Sequence, residues 1–289
     1  SVCINKMKLI FRCLWITGFL WGVLAAGGSP ISAQGSGQQF EGFNLQGYEN
    51  DGRMKWDLRG DTADVFGEQI KITNVDANHY GDQTMNLKAK IGRLDKASGD
   101  IRLEKNVVIT SQDGGQMKTE SLDWYKERDL VETEDLVELS DQRMTAVGTG
   151  MKAKPGLMVA QMKRDVTVKV KPQPEEAESQ LVTISCDGPL EIDQKKNKAV
   201  LKDNVVAVQA DRTLKADEIT VFFDPEAQTV QKMICAGNVE IIQGGNKTHS
   251  QRAVYEADTQ KITLTGQPKI ILITAGEGSI ASFTKGMKK

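Results

Sequence analysis

After residue 40, apolar and polar residues alternate at every second position in short stretches, and helical spacing is almost absent. Ile101-Arg102-Leu103, Val166-Thr167-Val168-Lys169-Val170, Leu190-Glu191-Ile192, Val239-Glu240-Ile241 and Ile262-Thr263-Leu264 each place their apolar side chains on one face of an extended strand. Val, Ile and Thr dominate these stretches, as a half-buried pleated surface favours. Between them Lys96-Ala97-Ser98-Gly99, Gln112-Asp113-Gly114-Gly115, Asp224-Pro225-Glu226 and Gln243-Gly244-Gly245-Asn246 read as turns. The pattern predicts an all-β chain of short strands.

The strands also recur. A polar or glycine turn followed by a Val-like residue appears in Lys105-Asn106-Val107, Asp135-Leu136-Val137, Asp165-Val166, Asp203-Asn204-Val205 and Gly237-Asn238-Val239. Second strands follow several of these, among them Lys118–Trp124, Lys215–Val221 and Ser250–Tyr255. A repeated unit of a few strands cannot bury its apolar face alone and must stack on the next. The rhythm breaks at Lys171–Gln180, which carries two prolines and three glutamates and reads as a linker between two β modules, 40–170 and 181–275. Residues 276–289 form a Gly-, Ser- and Lys-rich tail.

The first 33 residues have a different character. Lys8 and Arg12 precede the apolar run Cys13–Ala26, and small residues follow as far as Ala33. This is an export pattern, either cleaved near Ala26 or Ala33 or retained as a membrane anchor. Both alternatives deliver the body outside the cytoplasm. Cys186 and Cys235 are then the cysteines of the body, and they pair as a disulfide or stay as buried free thiols. With two histidines, His79 and His249, a metal site is not expected, and no cofactor motif is present. Both histidines read as solvated surface. Beyond its basic start the chain is mildly acidic, which gives no electrostatic reason to expect nucleic acid.

The ordered series Asp187-Gly188-Pro189-Leu190-Glu191-Ile192, Leu201-Lys202-Asp203-Asn204-Val205, Leu214–Ile219 and Cys235–Ile241 resembles the LptA-type repeat of the bacterial lipopolysaccharide-transport bridge superfamily (LptA/LptC, OstA-like). The first module resembles LptC: a hydrophobic N-terminal segment, Phe43-Asn44-Leu45, Asp51–Gly60, then the same ladder. The resemblance implies an open-ended antiparallel β-jellyroll of stacked repeats. It further implies a periplasmic protein, soluble or anchored to the inner membrane, that binds lipopolysaccharide through lipid A. Its partners would be an inner-membrane LptBFG-type ABC transporter and LptA/LptD-type bridge proteins, with open ends that permit head-to-tail self-association. An LptC-like module running into an LptA-like one departs from the separate chains usual in the superfamily.

On that fold, strand alternation nominates residues facing a lipid groove. In the first module these are Val107, Ile109, Leu122, Trp124, Val137, Leu139, Val166 and Val168. In the second they are Leu190, Ile192, Ile219, Val221, Phe223, Val239, Ile241 and Val254. Alternation marks a buried face and does not separate groove from packed core. Two other classes compete: an exported structural or adhesive β-repeat, and a polysaccharide-active enzyme with facing carboxylates. The sequence shows no nucleophile motif, metal spacing or phosphate loop that would favour the enzyme.

Overall fold

The structure, a computed structural model, describes residues 37–49, 51–80, 84–142, 144–171, 181–224 and 230–273. The export segment at 1–33, positions 172–180 of the expected linker, most of the Asp224–Glu226 turn and the tail at 276–289 lie outside the described residues. The described residues form antiparallel β-strands, with one short 3-10 turn at Pro155–Leu157. Contacts divide the chain into two compact units. The first runs to Lys163 and takes in Asp193–Lys195; the second holds Arg164–Ile192 and the chain from Lys196 onward.

The first unit is a meander of β1 (Gln38–Tyr48), β2 (Met54–Phe66), β3 (Gln69–Tyr80), β4 (Thr84–Asp95), β5 (Ile101–Ser111), β6 (Gln116–Tyr125), β7 (Leu130–Ser140) and β8 (Met144–Lys154). Each strand pairs antiparallel with the next. The unit boundary falls inside β9 (Val159–Val170). These strands are longer than the alternation alone predicts, because several of the supposed turns lie inside them. Lys105 and Asn106, with φ of 66° and 55°, stand opposite the single residue Glu120, since Glu104 pairs with Ser121 and Val107 with Thr119. That is a β-bulge, which bends a strand and increases its twist without ending it.

A bulge recurs between Thr133 and Leu136 on β7, and the β4–β5 ladder shifts register between Lys88 and Ile91, where three residues of β5 face two of β4. On β3, Asn74 (φ 50°) donates its side-chain amide to Asp61 at the corresponding interruption of the β2–β3 ladder. Every one of these strands has buried positions on both sides of its bend, such as Leu103 and Val107 on β5 or Leu122 and Met117 on β6. The recurrence seen in the sequence is therefore a column of bends across the sheet.

The second unit repeats the device. It contains β10 (Val182–Cys186), β11 (Leu190–Asp193), β12 (Lys198–Gln209), β13 (Arg212–Phe223), β14 (Val230–Gln243), β15 (Asn246–Glu256), β16 (Lys261–Thr265) and β17 (Lys269–Ile271). Asp203-Asn204 on β12 and Gly237-Asn238 on β14 have positive φ and bulge opposite Asp217 and Gln251, respectively. The Asn238 amide donates to Asp217 Oδ2 at 2.9 Å, and the Asn204 amide donates to Asp187 Oδ2 at 2.7 Å. In both cases a left-handed asparagine is fastened to an aspartate distant in sequence, Asp217 of β13 or Asp187 in the β10–β11 bend, which holds the bulge in place.

Cys186 and Cys235 are free and buried. Cys186 ends β10 opposite Val166, whereas Cys235 on β14 pairs with Ile219 and Ala253. In the pairing order β12 and β13 separate the strands that carry them, and a disulfide needs adjacent backbones. Burial pushes both thiols up to about 11, so they are protonated and unreactive at neutral pH. His79 differs from the solvated reading: it lies in β3, half-buried, in register with Trp56 and Met85. Burial, then the Lys55 charge, hold its pKa below the usual histidine range.

Candidate functional site

Antiparallel register aligns the inward side chains of the first unit into transverse rows. Phe40, Ala63, Ile72, Gly92, Leu103 and Leu122 form one row across β1–β6. Val65, Ile70, Leu94, Ile101, Trp124 and Val131 form the next, across β2–β7. On the other side of the bulge column Leu45, Leu58, Ala77 and Leu87 are in register on β1–β4. Residues of all three rows line one cavity of ≈ 250 Å³.

The void exists because small residues stand in these rows. Ala63, Ala77 and Gly92 are buried there yet contribute little bulk. A Cβ at Gly92 would come to 3.0 Å from Val75, so even a methyl group would tighten this wall. Phe40 is 51% exposed, and it joins the lining to the solvent-facing side of β1.

The lining is hydrocarbon apart from Arg93 and the Trp124 indole, and supplies no carboxylate, histidine, thiol or hydroxyl. Arg93 Nε donates to Glu104 at 3.2 Å, and Glu104 also accepts from Arg102 Nε at 3.0 Å. Arg102 in turn reaches Asp123 at 2.9 Å. The Arg102 hydrogen bond holds the Glu104 carboxyl below its ordinary range, while burial raises Asp123 against the opposing pull of Arg102. Arg93, Arg102, Asp123 and Glu132 are one cross-strand row on the reverse side of these strands. Nearer β1 that reverse side carries Asp57, Asn78 and Asn86, and buried Asp57 accepts from Tyr80 Oη at 2.6 Å. That bond raises the Tyr80 pKa. Charge is thus satisfied outside the wall, and the interior stays apolar.

The expected groove residues divide between this cavity and packed core. Leu122 and Trp124 line the cavity. Val107, Ile109, Val137 and Leu139 are at most 1% exposed and are not among the lining residues; Ile109 and Leu139 both stand in register with Met117. The remaining lining residues, those from Phe40 to Leu103 and Val131, fall outside the expected set, although the alternation of Ile70-Lys71-Ile72 and Ile101-Arg102-Leu103 marks several of them as inward.

In the second unit Val168, Ile184, Ala207, Leu214, Ile241 and Thr248 make a continuous row. Leu201, Ile219, Cys235 and Ala253 make another, and Val221 belongs to the row beyond. Val166, Leu190, Ile192 and Val239 are buried, and Phe223 is half-buried at the end of β13. Val254 faces the other way: it is in register with Ile234 and Thr220, on the side opposite Ile219 and Cys235. Trp56 is 4% exposed and lies against Gly47, where a Cβ would be 2.1 Å from its Nε1, so it serves the core of β1 and β2. Among the described residues no three His, Cys, Asp or Glu are grouped to hold a metal ion.

These features define a class: a bulged antiparallel β fold whose first unit holds an apolar cavity, lined by hydrocarbon apart from Arg93 and the Trp124 indole. Residues 13–171 match the family described as lipopolysaccharide-assembly, LptC-related, and residues 183–282 match the LptA/(LptD N-terminal domain) lipopolysaccharide transport proteins. The first match spans more than half of the chain, which belongs to the LptC-related lipopolysaccharide-assembly family. No curated protein matches it. Among solved structures it is similar to LptH of Pseudomonas aeruginosa, titled the LptA homologous periplasmic component of the conserved lipopolysaccharide transport device. That similarity has 10% identity over 56% of this chain and 97% of the other, with a TM-score of 0.33.

Proposed function

We propose that this chain is a periplasmic bridge component that binds lipopolysaccharide and shields lipid A acyl chains on the way from the inner to the outer membrane. The supporting observation is the apolar cavity of the first unit in a chain of the LptC-related family. Each exposed CH₂ costs about 0.8 kcal/mol in water, so a fourteen-carbon chain carries roughly 10 kcal/mol and needs cover. An apolar cavity of about 150 Å³ stays dry and takes benzene. One of ≈ 250 Å³ has room for a longer stretch of hydrocarbon.

On this reading the LptC-like module, 40–170, continues through a linker at 171–180 into an LptA-like module, 181–275. An LptBFG-type ABC transporter supplies the energy, and LptA/LptD-type proteins receive the lipid. Exposed Phe40 and Tyr48 on β1 and Ile270 on β17 fit strand-to-strand pairing with such partners or with further copies. Neither the adhesive nor the enzymatic alternative accounts for an apolar cavity without carboxylates.

The test compares intact with fully deacylated lipopolysaccharide. The full chain should retain the intact lipid and bind the deacylated sugar at least a hundredfold more weakly. Equal binding of the two would place recognition on the sugars and refute acyl shielding.

A further inference from the structure

On the reverse side of the cavity wall, Gln46, Asp57, Asn78 and Asn86 stand in register across β1–β4. The same row continues through Thr110, Gln116, Ser140 and Thr145 on β5–β8. Hydrogen-bonding side chains thus occupy every position of the row, and its one ionisable member, Asp57, is 2% exposed. In the next row along this face Lys88 pairs with Asp76 and Lys118 with Glu138, each at 3.5 Å, so charge is neutralised there. The β2–β4 part of the polar row is locked from within. Asn86 donates to Asn78 Oδ1 at 2.8 Å, and Asn78 donates to Asp57 Oδ1 at 3.1 Å. On β5–β8 the four side chains are half-buried, and among the described residues none of them hydrogen-bonds to another part of the protein. Tyr48 and Tyr80, both exposed, flank the β1–β3 end, with their hydroxyls donating to Gln46 and Asp57.

The ligand that suits such a row carries neither charge nor a long apolar surface. An anion calls for Arg or Lys at the contact, and hydrocarbon calls for an apolar lining. Sugar hydroxyls donate and accept at once, as do the hydroxyls and amides of this row. Strands lie about 4.8 Å apart, close to the length of one pyranose ring, so successive rings of an oligosaccharide meet successive strands. An exposed tyrosine adds an apolar face for stacking and a polar tip. We infer that this row binds the sugars of the glycolipid, on the outer side of the wall whose inner side forms the acyl cavity. This rests on the reading of the chain as a lipopolysaccharide carrier and adds to it a contact for the headgroup. Leu45 lines the cavity, is exposed, and directly precedes Gln46 on β1. A lipid lodged beside β1 therefore leaves its sugars where the polar row begins.

The experiment uses the full chain in nanodiscs, with ¹⁵N-labelled glutamine side chains, and fully deacylated lipopolysaccharide, which has no acyl chain to enter the cavity. A handful of neutral hydrogen bonds supports weak binding, with a dissociation constant on the order of 1 mM. The side-chain amide resonance that vanishes in Gln116→Ala should move as the sugar is added. It should move equally in low and high salt, because the contact is uncharged. Gln116→Ala combined with Ser140→Ala should bind the sugar at least five-fold more weakly, while methyl tetradecanoate, a probe of the cavity, binds as it does to wild type. The shift and its salt response are read in wild type, so they stand whether or not the variant folds well. If saturating sugar leaves the resonance unmoved, if high salt abolishes the shift, or if the double variant binds the sugar like wild type, the sugar row is overturned. The acyl cavity then survives on its binding of methyl tetradecanoate. If neither the sugar nor the ester binds, both are overturned.

Discussion

Ala63→Phe should abolish lipopolysaccharide retention while leaving the protein folded. Ala63 lies in the middle of a lining row, between Phe40 and Ile72, and its side chain faces the void. A phenyl ring occupies a cavity of about 150 Å³, more than half of the ≈ 250 Å³ present. Overpacking a filled core costs about 1–3 kcal/mol, but here the ring enters empty space and gains apolar contacts. The expected result is a melting temperature that is unchanged or higher, with at least a tenfold loss of copurifying lipopolysaccharide. Unchanged lipid retention with a raised melting temperature would mean that the void is only a packing defect.

The second large effect concerns the bends. Gly237→Val should destabilise the second unit by about 3 kcal/mol, since a β-branched residue is a poor fit to the left-handed region. Gly237 has φ of 74°, and a Cβ there would lie 2.2 Å from Asp217 Oδ2. The same carboxylate holds Asn238, so displacing it also loosens the neighbouring left-handed residue. Hydrogen exchange should show protection lost in β13, β14 and β15. A loss below about 1 kcal/mol, with protection intact, would show that the bulge relaxes freely and does not fix the bend.

The class of fold was legible because alternation survives in residues such as Ile101, Leu103, Leu122 and Trp124, and because the Asn-Val signature recurs. The bends were not. A left-handed Asn followed by Val reads equally as a turn between strands or a bulge within one, and only long-range pairing decides. Val254 shows the consequence. Opposite the Gly237-Asn238 bulge the buried positions of β15 pass from Thr248 and Ser250 to Ala253, so small or polar residues occupy that face and the half-buried valine lies on the other, in the row of Thr220 and Val200. Hydrophobicity alone does not say which face a β15 residue takes.

The cavity was half legible for a related reason. Leu122 and Trp124 were visible as bulky inward residues, whereas the void depends on Ala63, Ala77 and Gly92, whose small size leaves no mark in an alternation pattern. Conversely, Val107, Ile109, Val137 and Leu139 satisfy the pattern as fully as any lining residue, yet they are at most 1% exposed and lie outside the lining, with Ile109 and Leu139 both in register with Met117.

The most direct measurement is photo-crosslinking in living cells from a probe placed at Leu103, inside the cavity, with a matched probe at Leu136, which is 61% exposed on β7. Lipopolysaccharide adducts at Leu103 and none at Leu136 are the predicted result. Adducts at Leu136 alone, or equal capture at the two positions, would contradict an interior acyl site.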